Sequence, residues 1–312
     1  MDAEKKYGRV FANFLFLLII AGFAAYFGRQ LFSPTSTPTL NMIGGIGEEA
    51  ALLRTIRSIQ FEQPIESFVV ADSFMAVLTG TLLSVVHSEG ETIAKFAVEK
   101  GVRDIYLDNS TQQLYLLYPT RIAVINTTDG SVIREWEACS DNSDYVSLSL
   151  MADRVYVTDA SNKNVCVYDT EGLFKQFINS PVGFVIPSYT FDVFGKNDTV
   201  YAVNSGKHRI ERFSVDGKFL SAWGVTGGES GAFAGCCNPA YLIPTADGSF
   251  ITSEKGVPRI ALYDKEGVHQ KTLLAGKILG TSATAYFIGL IGDTLVTARD
   301  REVKFWVNQA GE

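Results

Sequence analysis

The chain has 312 residues, enough to bury a sizeable core in one large domain or two small ones. Its 27 Lys+Arg against 34 Asp+Glu give a formal net charge of -7, and no basic run is interleaved with aromatics, which argues against nucleic acid as a partner. Three histidines, no two at metal-ligand spacing, argue against a His-rich metal site, while 21 Phe, 13 Tyr and 28 Gly suit short strands joined by tight turns.

Residues 1–9 read as a cytoplasmic tail carrying Lys5, Lys6 and Arg9. The next stretch, VFANFLFLLIIAGFAAYF (10–27), has Asn13 as its one strongly polar member. As a helix it would be about 27 Å long, close to the hydrocarbon thickness of a bilayer. The basic flank predicts a signal-anchor helix over 10–28 with the remainder on the extracytoplasmic, periplasmic or extracellular, side. A cleaved signal peptide is the alternative, although AAYFGRQLF puts bulky residues where small ones are expected. Either way the domain is exported. Residues 29–50, with SPTSTPTLNMIGGIG at 33–47, read as a tether.

From there a repeat takes over. Its copies are LLSVVHSEGETIAKF (82–96), IAVINTTDGSVIREW (122–136), VCVYDTEGLFKQF (165–177), IERFSVDGKFLSAW (210–223), IALYDKEGVHQKTL (260–273) and VKFWVNQAGE (303–312). The turn glycines Gly90, Gly130, Gly172, Gly217, Gly267 and Gly311 are 40, 42, 45, 50 and 44 residues apart. A period of about 40–50 residues built of short strands is the mark of propeller blades. Each copy is preceded by two further strand candidates, such as RDIYLD and QQLYLLY in blade 2 or YVSLSLM and RVYVTDA in blade 3. The sixth copy lacks a fourth strand, and residues 51–61 are placed to supply it. The expectation is an all-β, six-bladed β-propeller over 51–312, preceded by a single N-terminal transmembrane helix.

The segment VYAVNSGKHRIERFSVDG (200–217), and less fully 155–172 and 251–267, resembles the repeats of NHL propellers. The resemblance covers about residues 67–312. It implies the six-bladed fold and a surface that binds a protein or ligand, and it implies nothing about a reaction.

The longest inter-blade loop, AWGVTGGESGAFAGCCNPAYL (222–242), is the expected contact surface, with Trp223, Phe233 and Tyr241 as aromatic anchors. Cys236 and Cys237 admit three readings: a vicinal disulfide, a soft-metal thiolate pair aided by Cys139 or Cys166, or small buried packing groups. Four scattered cysteines do not make a disulfide-stapled scaffold, and Cys166, within a strand, reads as core. Asn238 and Pro239 lead into the next blade. Asp159, Asn204 and Glu254 end second strands. Six-bladed hydrolases of the gluconolactonase and paraoxonase type converge such groups on calcium, but NHL repeats use the same positions to brace hairpin loops. Arg121, Arg209 and Arg259 recur at the start of third strands, as braces would. No nucleophile elbow, phosphate loop or zinc-protease motif occurs.

The reading is therefore an extracytoplasmic, membrane-anchored binding module with no assigned catalytic residue. Its partner is a protein or a small ligand at the propeller face. Two alternatives stand beside it: a calcium-dependent lactonase or esterase-like hydrolase, and a redox or metal role for the Cys236–Cys237 pair.

Overall fold

The computed structural model of the protein describes residues 52–256, 258–280 and 284–309. The expected tail, membrane span and tether lie outside the described residues, as do Ala51 and Gly311. Among the described residues, no helix is long and apolar enough to cross a membrane.

The described residues form six four-stranded antiparallel sheets, and the expectation of a six-bladed β-propeller is met. Blades 1 to 5 are sequential meanders from an innermost to an outermost strand. They run from Ser67–Ala71 to Thr92–Ala97, Asp104–Asp108 to Val132–Glu137, Tyr145–Met151 to Phe174–Ile178, Val193–Lys196 to Phe219–Trp223, and Tyr241–Pro244 to His269–Ala275. Blade 6 starts at Phe287–Ile291 and reaches Glu302–Asn308, which then pairs with Leu53–Gln60 as the outermost strand. That pairing covers the edge blade 6 would otherwise expose.

Strand position dictates composition. Second and third strands meet neighbouring blades on both faces, so their apolar runs are unbroken: Met75–Leu78, Val155–Val157 and Val165–Tyr168 are buried throughout. Outermost strands touch a neighbour on one face only. Val132–Glu137 accordingly alternates half-buried with exposed positions after its first residue.

The repeat itself encodes the joint between blades. Gly172 and Gly267 occupy the turn before an outermost strand with φ of 90° and 85°, a region that disfavours side chains. A Cβ at Gly172 would lie 2.6 Å from Trp136, and one at Gly267 would lie 2.2 Å from Trp223. Gly130 receives Phe96 and Gly217 receives Ile178 in the same way. In every case the bulky residue ends the outer strand of the preceding blade. The turn glycine and the bulky strand-end side chain are two halves of one contact.

Candidate functional site

The innermost strands of all six blades surround a channel of about 1300 Å³. At one level five blades each contribute a residue to it, Asp104, Ser147, Asp192, Tyr241 and Phe287, while Ser67 of blade 1 is fully buried. Ser67, Asp104, Tyr241 and Phe287 stand in register opposite Leu78, Leu117, Ser253 and Ala298 of their second strands. Ser147 reaches the same level from a register shift between Tyr145 and Leu148. Asp192 sits just before its strand, where its carbonyl accepts the Val203 N–H.

Hydrogen bonds tie the polar part of this belt across blades. Asp104 accepts from Ser67 Oγ (3.2 Å) and its neighbour Ile105 N (2.9 Å) on Oδ1, and from Leu148 N (2.9 Å) on Oδ2. Asp192 accepts from Ser147 Oγ (3.1 Å) and Leu242 N (2.9 Å). Blades 1 to 5 are thus linked through two carboxylates. The other side is aromatic, with the Tyr241 and Phe287 rings 5.1 Å apart. Gly289 admits Val70 where blade 6 meets blade 1: a Cβ there would come within 2.4 Å.

Both carboxyls open to the channel, yet both lie deep within the ring of blades. Burial pushes Asp104 up to about 6, against the opposing pull of its Leu148, Ser147, Ile105 and Ser67 donors. Burial pushes Asp192 up to about 7, and the charge of Asp104 adds to the rise while the Leu242 and Ser147 donors oppose it. The Tyr241 hydroxyl is raised by burial and by both carboxylates. Near neutral pH these carboxyls can therefore either hold or release a proton.

The channel is graded along its length. On the face that carries the inter-blade connections, Arg103 pairs with Asp144 at 2.5 Å and lies 5.4 Å from the Tyr189 ring centre. Lys255 Nζ donates to Ser188 Oγ (2.6 Å) and Thr190 Oγ1 (2.9 Å), and Arg299 lies 3.9 Å from the centre of the Tyr286 ring. The opposite end carries Asp72 and Asp108. Asp108 collects donors from Ser110 and Thr111, which hold its carboxyl below the usual range although burial opposes them.

The structure distributes the residues singled out in the sequence differently from their expected roles. Phe233 is fully buried and packs with Trp223, Tyr263 and its neighbours in the seam between blades 4 and 5, so it cannot anchor a partner. Trp223 lies in the same seam, against Phe250 and Tyr263. Tyr241 faces the channel and not the outer surface of the loop. Asn238 is buried: its Nδ2 donates to Ala234 O and Lys255 O, and its Oδ1 accepts Lys255 N. It holds the loop against Lys255.

Asp159, Asn204 and Glu254 do occupy equivalent hairpin ends, opposite Asn164, Arg209 and Arg259, but each braces its own surroundings. Asp159 accepts from Asp144 N and Asn162 N; Asn204 bonds Val185 N, Gly183 O and Glu211. Glu254 pairs with Arg259 at 2.7 Å, and burial nonetheless lifts its carboxyl to about 7. Each of the three is thus hydrogen-bonded or ion-paired to partners of its own. Arg209 likewise pairs with Glu211 and Arg121 with Glu135, within their own blades.

Cys236 is exposed, Cys237 is buried, and their sulfurs are 2.7 Å apart. Burial disfavours the Cys237 thiolate, but Cys236, Ser188 and Lys255 outweigh it and bring the thiol below its usual range. Cys139 and Cys166 do not join this pair; they meet each other in blade 3, with Asp159 within 4.8 Å. That trio is the only group of three or more potential His, Cys, Asp or Glu metal ligands among the described residues.

Apart from Tyr241, singled out for a different role, the belt escaped sequence reasoning because its members are single residues about 37 to 49 positions apart, outside the repeated turns. The one available signal was the pair of acidic residues, Asp104 and Asp192, at the start of otherwise apolar inner strands.

No family model and no curated protein matches the chain. Among solved structures it is similar to the crystal structure of virginiamycin B lyase from Staphylococcus aureus, with a TM-score of 0.58 at 10% identity over 82% of this chain and 99% of that one. At that identity the likeness is one of fold: the chain shares the propeller architecture.

Proposed function

We propose that the chain is a ligand-binding propeller whose central channel takes a small organic cation carrying an apolar portion. One observation carries this reading: an open channel whose belt sets Asp104 and Asp192 against the Tyr241 and Phe287 rings. An ammonium group meets charge-assisted acceptors on one side and aromatic faces on the other. Such a ligand would also restore the ionised state that burial disfavours, so its binding would release protons near neutral pH. The end that carries Asp72 and Asp108 is the proposed entrance for the cation, since the mouth lined by Arg103, Tyr189 and Lys255 would repel it. Residues 10–28, with their basic flank, support the further proposal that the propeller is held at the outer side of a membrane.

Calorimetric titration of the full chain with choline, ethanolamine and putrescine tests the reading. At least one probe should bind one-to-one at pH 8 and at least tenfold more weakly at pH 5.5, and Asp104→Asn should weaken it comparably. Absence of binding by all three, or affinity indifferent to both pH and the substitution, would sink the idea.

A second reading is favoured by the same carboxyls. At about 6 and about 7, Asp104 and Asp192 suit proton transfer at neutral pH, which an enzyme of the lyase class could use. The similarity to virginiamycin B lyase supplies the fold and no residue for that role. Turnover of a channel-bound compound that is abolished by Asp192→Asn, with binding retained, would favour catalysis over simple capture.

A further inference from the structure

The four cysteines of the chain fall into two pairs, with none left over. One pair is the neighbouring Cys236 and Cys237. The other joins residues 27 apart: Cys139, on the connection leaving blade 2, and Cys166, fully buried in the third strand of blade 3. Their sulfurs are 2.8 Å apart.

The surroundings of the second pair discriminate between its possible states. Cys139 N donates to Tyr145 Oη, which is also bonded to Tyr168 Oη. Asn164 Oδ1 lies 3.6 Å from Cys166 Sγ, and the Asp159 carboxylate completes the group. The neighbours named are hydroxyls, an amide oxygen and a carboxylate; no Lys, Arg or His is among them. Burial pushes the Cys166 thiol far up, and Cys139, then Asp159, add to the rise while the Tyr145 hydroxyl opposes it. A Cys166 thiolate here is therefore disfavoured. A disulfide carries no charge and leaves Asp159 free to hold the Asp144 and Asn162 amides it already accepts.

We propose that Cys139 and Cys166 form a disulfide in the protein, pinning the blade 2 to blade 3 connection to the interior of blade 3. The bond forms when two thiols exchange with a disulfide oxidant, protein or glutathione-type. Two protons and two electrons leave the cysteines, and the oxidant's S–S bond is broken to two thiols. The proposal rests on the extracytoplasmic placement for its oxidising surroundings. The cross-link closes a 27-residue separation and restricts the unfolded chain. The Cys236–Cys237 pair provides an internal contrast, since one sulfur is exposed and Lys255 lies beside the other. It is expected to be reduced and alkylated first.

The test has two arms and uses the full chain. In the first, purified protein is reduced and then equilibrated with oxidised and reduced glutathione; peptide mapping should recover the Cys139–Cys166 cross-link. Failure of the link to form there overturns the geometry whatever the compartment. In the second, cells are lysed into N-ethylmaleimide under denaturing, non-reducing conditions. Cys139 and Cys166 should remain unalkylated and linked. Alkylation of both, after success in the first arm, would overturn the proposal through its compartment and weaken the extracytoplasmic reading with it. Stoichiometric zinc or copper on protein purified without chelator, with both thiols free after its removal, would overturn it in favour of a metal site.

Stability provides a separate readout. Cys139→Ser, Cys166→Ser and the double variant should each lower the Tm by the same amount, about 5–10 °C, and reductant should do likewise to the parent. Additive losses from the two single variants would mark two independent packing groups and contradict the cross-link.

Discussion

The outer hairpins and the inner strands of the blades are built on opposite principles. At the rim, the same joint recurs: a turn glycine receives the strand-end side chain of the preceding blade, as Gly130 takes Phe96, Gly172 takes Trp136 and Gly267 takes Trp223. At the channel, five blades present Asp104, Ser147, Asp192, Tyr241 and Phe287, polar in three and aromatic in two, while Ser67 of the remaining blade is buried against Asp104. Repetition marks what every blade needs to stack on its neighbour. Departure from repetition marks where the ring ceases to be symmetric, and that is where a ligand can be oriented.

Substitutions can break this contrast from either side. Trp223→Ala should be the most damaging, at about 3–5 kcal/mol, because it removes a ring packed against Phe233, Phe250 and Tyr263. Urea unfolding measures it, and a loss under about 1 kcal/mol would mean the seam is not a cohesive joint. Gly172→Ala should cost about 2–3 kcal/mol, since it adds a side chain at positive φ in contact with Trp136. Combined with Trp136→Ala the cost should shrink, as coupled halves of one joint require.

Asp192→Asn addresses the channel. The Asp192 carboxyl titrates higher in the folded protein than its ordinary value of 3.8, so its ionised form is disfavoured by folding. Its unfavourable contribution is absent below about pH 4 and grows as pH rises towards 7, so this group lowers stability with rising pH. Relative to the parent, Asp192→Asn should therefore look better at pH 8 than at pH 5 by ~1–2 kcal/mol, a figure reduced to allow for water in the channel. Parallel Tm profiles for the two proteins would show that the carboxyl is not held high. Tyr241→Phe should be the mildest, within about 0.5 kcal/mol by the same unfolding assay. A larger loss would reveal a structural hydrogen bond for its hydroxyl.

Much of the rim was legible in the sequence because its determinants are local and recur. The acidic residue that holds a turn lies three positions before its glycine: Asp169 accepts Glu171 N and Leu173 N around Gly172, and Asp264 accepts Glu266 N and Val268 N around Gly267. The strand-end aromatics were visible too, although blade 3 uses Ile178 at the joint and leaves Phe177 exposed. The belt was not legible, because its contacts join residues in different blades and Ser147 arrives through a register shift. Loop 222–242 was correctly conspicuous by length, but length does not reveal direction. Phe233 turns inward to fill the seam, and Asn238 holds the loop to Lys255. The Cys139–Cys166 contact was hidden for the same reason as the belt: only the stacking of one blade on the next brings the two sulfurs together.

The channel is the proposed seat of the ligand. A crystal structure of the propeller with the tightest-binding amine probe, grown at pH 8, tests it directly. The account predicts the ammonium between Asp104 and Asp192 with its apolar portion against Tyr241 and Phe287. A probe bound on the outer surface of residues 224–240, with the belt left empty, would contradict it and return the function to the rim.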